Sequence, residues 1–155
     1  MHRYRDLTTL LARLVVGVTF VLHAYQKLAI NGMSGVSAGF EQMGIPLPAA
    51  AAWFTALVEL LGGLALILGV LLPVAGVLLA AVMLGALVTA HSGAYFATDG
   101  GFEYVLVLAA VSLALGFSGP KYPLQAAFAA RTEALQSDYG GYGHKLTKHF
   151  DPNKP

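Results

Sequence analysis

The sequence predicts an all-α membrane protein: a bundle of four transmembrane helices with both termini in the cytoplasm. Three observations predict it. The 155-residue chain is 57% hydrophobic and only 11% charged, values that are not those of a soluble domain. Four apolar runs, at 7–30, 47–70, 73–90 and 102–118, have about the ~20-residue length that a helix needs to cross a bilayer. Lys and Arg flank the first and last runs but are absent from 31–46 and 91–101, so the positive-inside rule places both termini in the cytoplasm.

Each of the four apolar runs has features of a membrane-spanning helix. The first is too long for a secretory signal and lacks a small-residue cleavage site, so we interpret it as a retained span. The second and third are joined by a tight link from Gly69 to Pro73, in which Gly ends one helix and Pro begins the next. The fourth is the shortest and has to start at Phe102 or Glu103. Residues 1–124 are therefore predicted to form a four-helix membrane domain, and 125–155 a cytoplasmic tail.

Ionisable side chains inside or at the edges of these spans hold most of the functional information. A charge near the centre of a membrane helix costs roughly 2.5–3.5 kcal/mol, so each needs a partner or a function. Depth at 1.5 Å per residue places His23, Lys27, His91 and Glu103 near the outer face, and Glu59 beneath them, close to the bilayer midplane. The residues that bear on this argument are Arg13, His23, Lys27, Glu59, His91 and Glu103.

Helical phase predicts that four of these charges point into the bundle. Each shares a helix face with small residues, which are expected where helices pack closely. The predicted inward faces are Arg13, Gly17, Phe20, Ala24 and Lys27; Ala52, Glu59, Gly63 and Leu66; and Glu103, Val107, Ala110, Ala114 and Phe117.

Structural explanations compete with functional ones at most positions. Lys27 could extend to the outer headgroups, and Arg13 could form a structural ion pair with Glu59. His91 and Glu103 lie at helix ends, where their charges favour the helix dipole. Glu59 has the weakest structural explanation, because a carboxylate at the midplane has to be neutral or paired. We therefore expect Glu59 to be functional and Arg13 to be a structural ion-pair residue.

Together with nearby aromatic side chains, including Tyr25, these residues predict an outward-facing pocket for an amphipathic ligand with a polar head. A quinone fits this description, because its two carbonyl groups need hydrogen-bond donors and its reduction needs a proton relay. In this hypothesis Glu59 and His23 form the relay, and the ligand-binding residues are Lys27, Glu103, Tyr104, Trp53 and Phe20.

Other cofactor chemistry is less well supported. A haem held between His23 and His91 is an alternative, but neither histidine has a second candidate pair with which to form a redox chain, so we predict no metal site. The chain has no Cys, which excludes disulfides, thiolate metal sites and thiol redox chemistry. No glycine-rich nucleotide fingerprint is present, since Gly62 and Gly63 lie within a span. We expect no covalently bound cofactor and no nucleic-acid partner.

The order of motifs resembles the DoxX family. The resemblance covers residues 7–124 and begins with Arg13, Gly17, Phe20, His23, Lys27 and Leu28, followed by Phe40 and Gly44-Ile45-Pro46. It continues with Glu59-Leu60-Leu61-Gly62-Gly63, His91, Gly101-Phe102-Glu103-Tyr104 and Gly119-Pro120-Lys121-Tyr122. The sequence departs from the family at Ala24, where Gly is usual, and at Tyr122-Pro123-Leu124-Gln125, where the family ends in an acid.

The resemblance implies a four-helix protein of the bacterial inner membrane, whose relatives include the membrane subunit of thiosulfate:quinone oxidoreductase. It therefore favours a quinone-interacting or accessory subunit of an oxidoreductase or respiratory complex, without a redox centre of its own and with partner subunits or further copies of itself. Two alternatives stay open: a non-enzymatic structural subunit of a larger membrane complex, and a small proton-coupled carrier that uses Glu59.

Overall fold

The computed structural model describes residues 2–118, and all the regular structure in that range is helical. The predicted cytoplasmic tail and the motif at 119–122 lie outside the described residues. The helices are α1 (His2–Tyr25), a π-helix (Gln26–Asn31), α2 (Gly32–Gln42), α3 (Pro48–Leu68), α4 (Leu72–Ala90), a short 3₁₀ helix (Ala97–Asp99) and α5 (Glu103–Gly116).

Three helical segments in the described range are long and apolar enough to cross a membrane: Leu7–Gln42, Pro48–Leu68 and Leu72–Ala90. The fourth predicted span forms α5, which has 14 residues. At 1.5 Å per residue α5 is about 21 Å long, against roughly 30 Å for the hydrocarbon core. The prediction of an all-helical protein with membrane-length helices is confirmed, and a fourth crossing stays a prediction.

The stretch 31–46, which lies between the first two predicted spans, is helical over most of its length. Helix α2 occupies Gly32–Gln42 and packs on α3, with Val36 buried. Gly32 has a φ of 68°, a left-handed value that Gly adopts without strain, and it changes the direction of the chain after the π-helix. The helix is difficult to predict from the sequence, because this stretch is rich in glycine and serine, which are more typical of turns.

Glycine contacts hold the long helices close together. A Cβ atom on Gly17 of α1 would lie 2.7 Å from the carbonyl oxygen of Gly63 in α3, and one on Gly76 of α4 would lie 2.7 Å from Cα of Gly116 in α5. Helix α3 also packs on α4, and α1 contacts α5. The four helices therefore form a closed arrangement in which backbones meet at glycines, as membrane helices often do.

The predicted inward faces of α1 and α3 are confirmed. Arg13, Phe20 and Glu59 are all buried, as are the small residues that share their faces. The prediction for α5 is wrong: Val107 and Phe117 are 58% and 68% exposed. Helix α5 instead buries the opposite face, which also contains small residues: Val105, Leu108, Ala109, Ser112, Leu115 and Gly116. Because α5 has small residues on both faces, the small residues beside Glu103 do not indicate which face is buried.

Candidate functional site

A buried ion pair lies at the centre of the candidate site. Lys27 Nζ is 2.5 Å from Glu59 Oε1, and the two side chains are 20% and 2% exposed. Glu59 lies one residue past the middle of α3, so its carboxylate is far from both helix ends. Among the described residues, no donor lies within hydrogen-bond distance of the buried second oxygen, Oε2. The carboxylate therefore holds one cation and keeps one acceptor without a protein donor.

The π-helix positions the cation. Lys27 is the second residue of the segment Gln26–Asn31, which continues directly from α1. A π-helix has more residues per turn than an α-helix, so the segment changes the direction in which its side chains leave the helix. Short π-helical segments occur often at functional sites. Here the segment carries Lys27, whose long side chain brings its ammonium group to Glu59.

The ion pair lines a cavity of about 530 Å³. The cavity is bounded by the ends of α1 and α2, by the first half of α3, by the second half of α4, and by the start of α5. Its polar side chains are His23, Lys27, Thr55, Glu59, Thr89, His91 and Tyr104, and its apolar ones include Phe40, Met43, Ile45, Phe54, Val82, Met83, Val105 and Leu108. A mostly apolar cavity of this size with a few convergent polar groups is typical of a small-molecule site.

Two histidines contribute to the cavity from different parts of the chain. The ring of His23 in α1 lies 6.3 Å, centroid to centroid, from the ring of Tyr104 in α5, at an interplanar angle of 52°. His91 follows α4, and its Nδ1 lies 3.0 Å from the carbonyl oxygen of Gly100. Both histidines are predicted to lie at the same level in the membrane, and the structure brings them to one cavity.

The connection between α4 and α5 is fixed by its own contacts. Glu103 Oε1 accepts a 2.9 Å hydrogen bond from the backbone N–H of Ala97, and the ring of Tyr95 packs edge-on against that of Phe102 at 5.3 Å. Glu103 does not line the cavity. Its observed contact holds the connection against the first turn of α5, which supports the wall that carries Tyr104.

The other predicted site residues lie elsewhere. Phe20 is completely buried in the core, Trp53 is 49% exposed on the outside of α3, and Tyr25 is 57% exposed. None of the three lines the cavity. Arg13 is buried, and its Nη2 donates a 3.1 Å hydrogen bond to Ser118 Oγ. The observed cation beside Glu59 is therefore Lys27, and Arg13 connects α1 to the end of α5.

Sequence reasoning missed the apolar wall and the two threonines. Thr55 lies four residues before Glu59 and so shares its helix face, a signal that could have found it. Phe40 and Met43 belong to the stretch that was not predicted to be helical. No sequence signal places them beside Glu59, because their position follows from the turn at Gly32.

The described part of the chain contains no group of three or more His, Cys, Asp or Glu side chains that could hold a metal ion. His23 and His91 would be the only nitrogen ligands within the cavity lining. Nδ1 of His91 is already in contact with a backbone carbonyl. This contact leaves Nε2 as the free ring nitrogen of His91.

Comparison with known proteins places the chain in a family. Residues 8–92 match the DoxX family, a range that includes His23, Lys27, Glu59 and His91. The chain is also similar to a protein of Bacillus subtilis (strain 168) named "Putative oxidoreductase CatD", with 34% identity over 115 residues, which are 74% of this chain and 83% of that protein. No solved structure matches the chain significantly. With its membrane-length apolar helices, the chain is a multi-pass membrane protein that belongs to the DoxX family.

Proposed function

We propose that this protein is the quinone-binding membrane subunit of an oxidoreductase. One observation carries the proposal: a buried Lys27–Glu59 ion pair lines a mostly apolar cavity of about 530 Å³. That volume lies within the roughly 300–1,000 Å³ of small-molecule sites. An apolar wall suits a ring and its tail, and the ion pair offers both a cation and a carboxylate to the polar head.

The residues present fit such a ligand. The ammonium group of Lys27 has three N–H donors, of which one is directed at Glu59 Oε1, so others can donate to a ligand oxygen. Tyr104 and His23 also line the cavity and can contribute further hydrogen bonds. A bound quinone supplies the redox chemistry, because it accepts two electrons and two protons. Glu59 and His23 are the groups that we propose hold and transfer those protons.

The electrons require a partner. The similarity to a protein named as an oxidoreductase supports a role in an electron-transfer complex, and we propose that the donor centre lies on a partner subunit. We further propose that α5, extended by the residues after it, makes a fourth crossing of the bacterial inner membrane, with both termini in the cytoplasm. The distribution of Lys and Arg along the sequence supports that orientation.

The test is to purify the full-length tagged protein from its native membranes in mild detergent. Bound proteins and lipophilic molecules are then identified by mass spectrometry. We expect a stoichiometric redox partner and retained quinone, and we expect Glu59→Gln to lose quinone while keeping the partner. Glu41→Gln is the matched control, because Glu41 is exposed and does not line the cavity.

Other results would redirect the assignment. A stable partner complex without quinone would favour the structural subunit. A protein that retains neither and transports a solute in liposomes, with the transport abolished by Glu59→Gln, would favour the proton-coupled carrier. Either result would contradict the quinone proposal.

A further inference from the structure

The two threonine hydroxyl groups in the cavity already donate their protons to backbone carbonyls. Thr89 Oγ1 donates a 2.9 Å hydrogen bond to the carbonyl oxygen of Gly85, and Thr55 Oγ1 donates a 3.1 Å hydrogen bond to that of Ala52. Each hydroxyl has one proton and two lone pairs. Towards a ligand, both threonines therefore act as hydrogen-bond acceptors.

His91 also acts as a hydrogen-bond acceptor towards a ligand. A carbonyl oxygen can only accept, so the 3.0 Å contact between Nδ1 of His91 and the carbonyl oxygen of Gly100 requires the proton to be on Nδ1. In the neutral imidazole this leaves Nε2 as an acceptor. The contact with the connection between α4 and α5 thus fixes the tautomer.

Glu59 provides the strongest acceptor. Its carboxylate has no proton to donate, and its Oε2 is buried without a donor among the described residues. A buried charged acceptor without a donor is costly. A ligand that places an O–H group against this oxygen after a small rotation of the carboxylate would relieve that cost, and rotation about the terminal carboxylate bond is soft.

We propose that the cavity binds the reduced, dihydroxy form of its ligand, an aromatic diol, in preference to the oxidised quinone. This inference rests on the proposed function and specifies which redox form the site recognises. The oxygens of a quinone only accept hydrogen bonds, so they can pair with donors such as Lys27 and Tyr104 but not with Glu59 Oε2, His91 Nε2 or the threonines. The hydroxyl groups of the diol both donate and accept, so they can pair with the cation and with the acceptors.

The preference should be measurable. A hydrogen bond to a charged group contributes more than one between neutral groups, so one O–H bonded to Glu59 gives at least about a tenfold difference in Kd. The experiment uses the full-length protein in lipid nanodiscs under anaerobic conditions. The ligands are decylubiquinol, decylubiquinone and the bis-methyl ether of decylubiquinol, which keeps the ring and loses both O–H groups. We expect decylubiquinol to bind at least about tenfold more tightly than the other two.

Two variants identify the groups responsible. In Glu59→Gln the carboxylate becomes an amide that has an N–H donor. The Kd of decylubiquinone should then be within about threefold of the Kd of decylubiquinol. Thr89→Val removes one acceptor with little change of shape and should reduce the ratio of these two Kd values by about threefold. Thr19→Val is the matched control: Thr19 Oγ1 makes the same type of bond, 2.9 Å to the carbonyl oxygen of Val15, but does not line the cavity. Its ratio should equal that of the unmodified protein.

The outcomes separate this inference from the proposed function. If decylubiquinone binds as tightly as decylubiquinol, or more tightly, the inference is overturned while quinone binding stands. An unchanged ratio in Thr89→Val and in a folded Glu59→Gln would also overturn it. If none of the three ligands binds, the proposed function fails as well. If Glu59→Gln does not fold, the comparison of Thr89→Val with Thr19→Val still tests the preference for the reduced ligand.

Discussion

Replacing Lys27 by Met removes the cation from a buried carboxylate and is expected to destabilise the helix bundle by about 3–5 kcal/mol. The geometry sets the scale. At 2.5 Å between Nζ and Oε1 and an effective dielectric constant of about 20, the direct attraction is roughly 7 kcal/mol. Desolvation of the two ions offsets several kcal/mol of this. The single variant loses the attraction and keeps the desolvation of Glu59, which is only 2% exposed.

A double-mutant cycle isolates the pair. Lys27→Met, Glu59→Gln and the double variant are unfolded reversibly in mixed micelles by raising the fraction of sodium dodecyl sulfate, with circular dichroism as the readout. Glu59→Gln is expected to cost less than Lys27→Met, because Lys27 is 20% exposed and its flexible stem can move the ammonium toward water. The double variant should be more stable than Lys27→Met, with a coupling energy of about 2–3 kcal/mol. Strict additivity of the two single changes would refute the ion pair as a stabilising contact.

Three further predictions concern the frame around the site. Gly76→Ala should destabilise the protein by about 1–3 kcal/mol, because the new Cβ would lie 2.6 Å from a carbonyl oxygen of α5; Gly35→Ala, with nothing within 4 Å, should be neutral or stabilising in the same unfolding assay. Ser118→Ala removes one acceptor of the buried Arg13 guanidinium and should cost about 1–3 kcal/mol; an unchanged stability would show that this hydrogen bond contributes nothing. Since the chain has no Cys, Ser92→Cys and Thr8→Cys report topology cleanly: a membrane-impermeant maleimide should label Ser92→Cys alone in intact cells, and labelling of Thr8→Cys would contradict a cytoplasmic N-terminus.

Part of this architecture follows directly from the sequence. Helices α3 and α4 cover the apolar runs at 47–70 and 73–90, because continuous apolar residues bounded by Gly and Pro leave few alternatives in a bilayer. The inward orientation of Glu59 follows from the small residues beside it. The same argument failed for Glu103, since α5 has small residues on two faces and its first turn is anchored by a contact to Ala97.

The pairing within the site could not be predicted in the same way. Depth estimates based on regular α-helical rise separate Lys27 from Glu59, and Arg13 appeared to be the structural partner. The π-helix at Gln26–Asn31 alters the direction of the Lys27 side chain. No residue in that segment predicts a π-helix. The aromatic residues Trp53 and Phe20 have the chemistry expected of a ligand site, but their positions on α3 and α1 turn one outward and bury the other in the core.

Photoaffinity labelling tests the central claim most directly, because it reports where a quinone lies. The full-length protein in native membranes is illuminated with an azido-quinone, digested, and analysed by mass spectrometry. Labelled peptides should contain the cavity-lining parts of α3 and α4 around Thr55 and Thr89, and excess decylubiquinol should abolish the labelling. Labelling confined to exposed positions such as Trp53, or labelling that excess ligand does not compete, would contradict a quinone site beside Lys27 and Glu59.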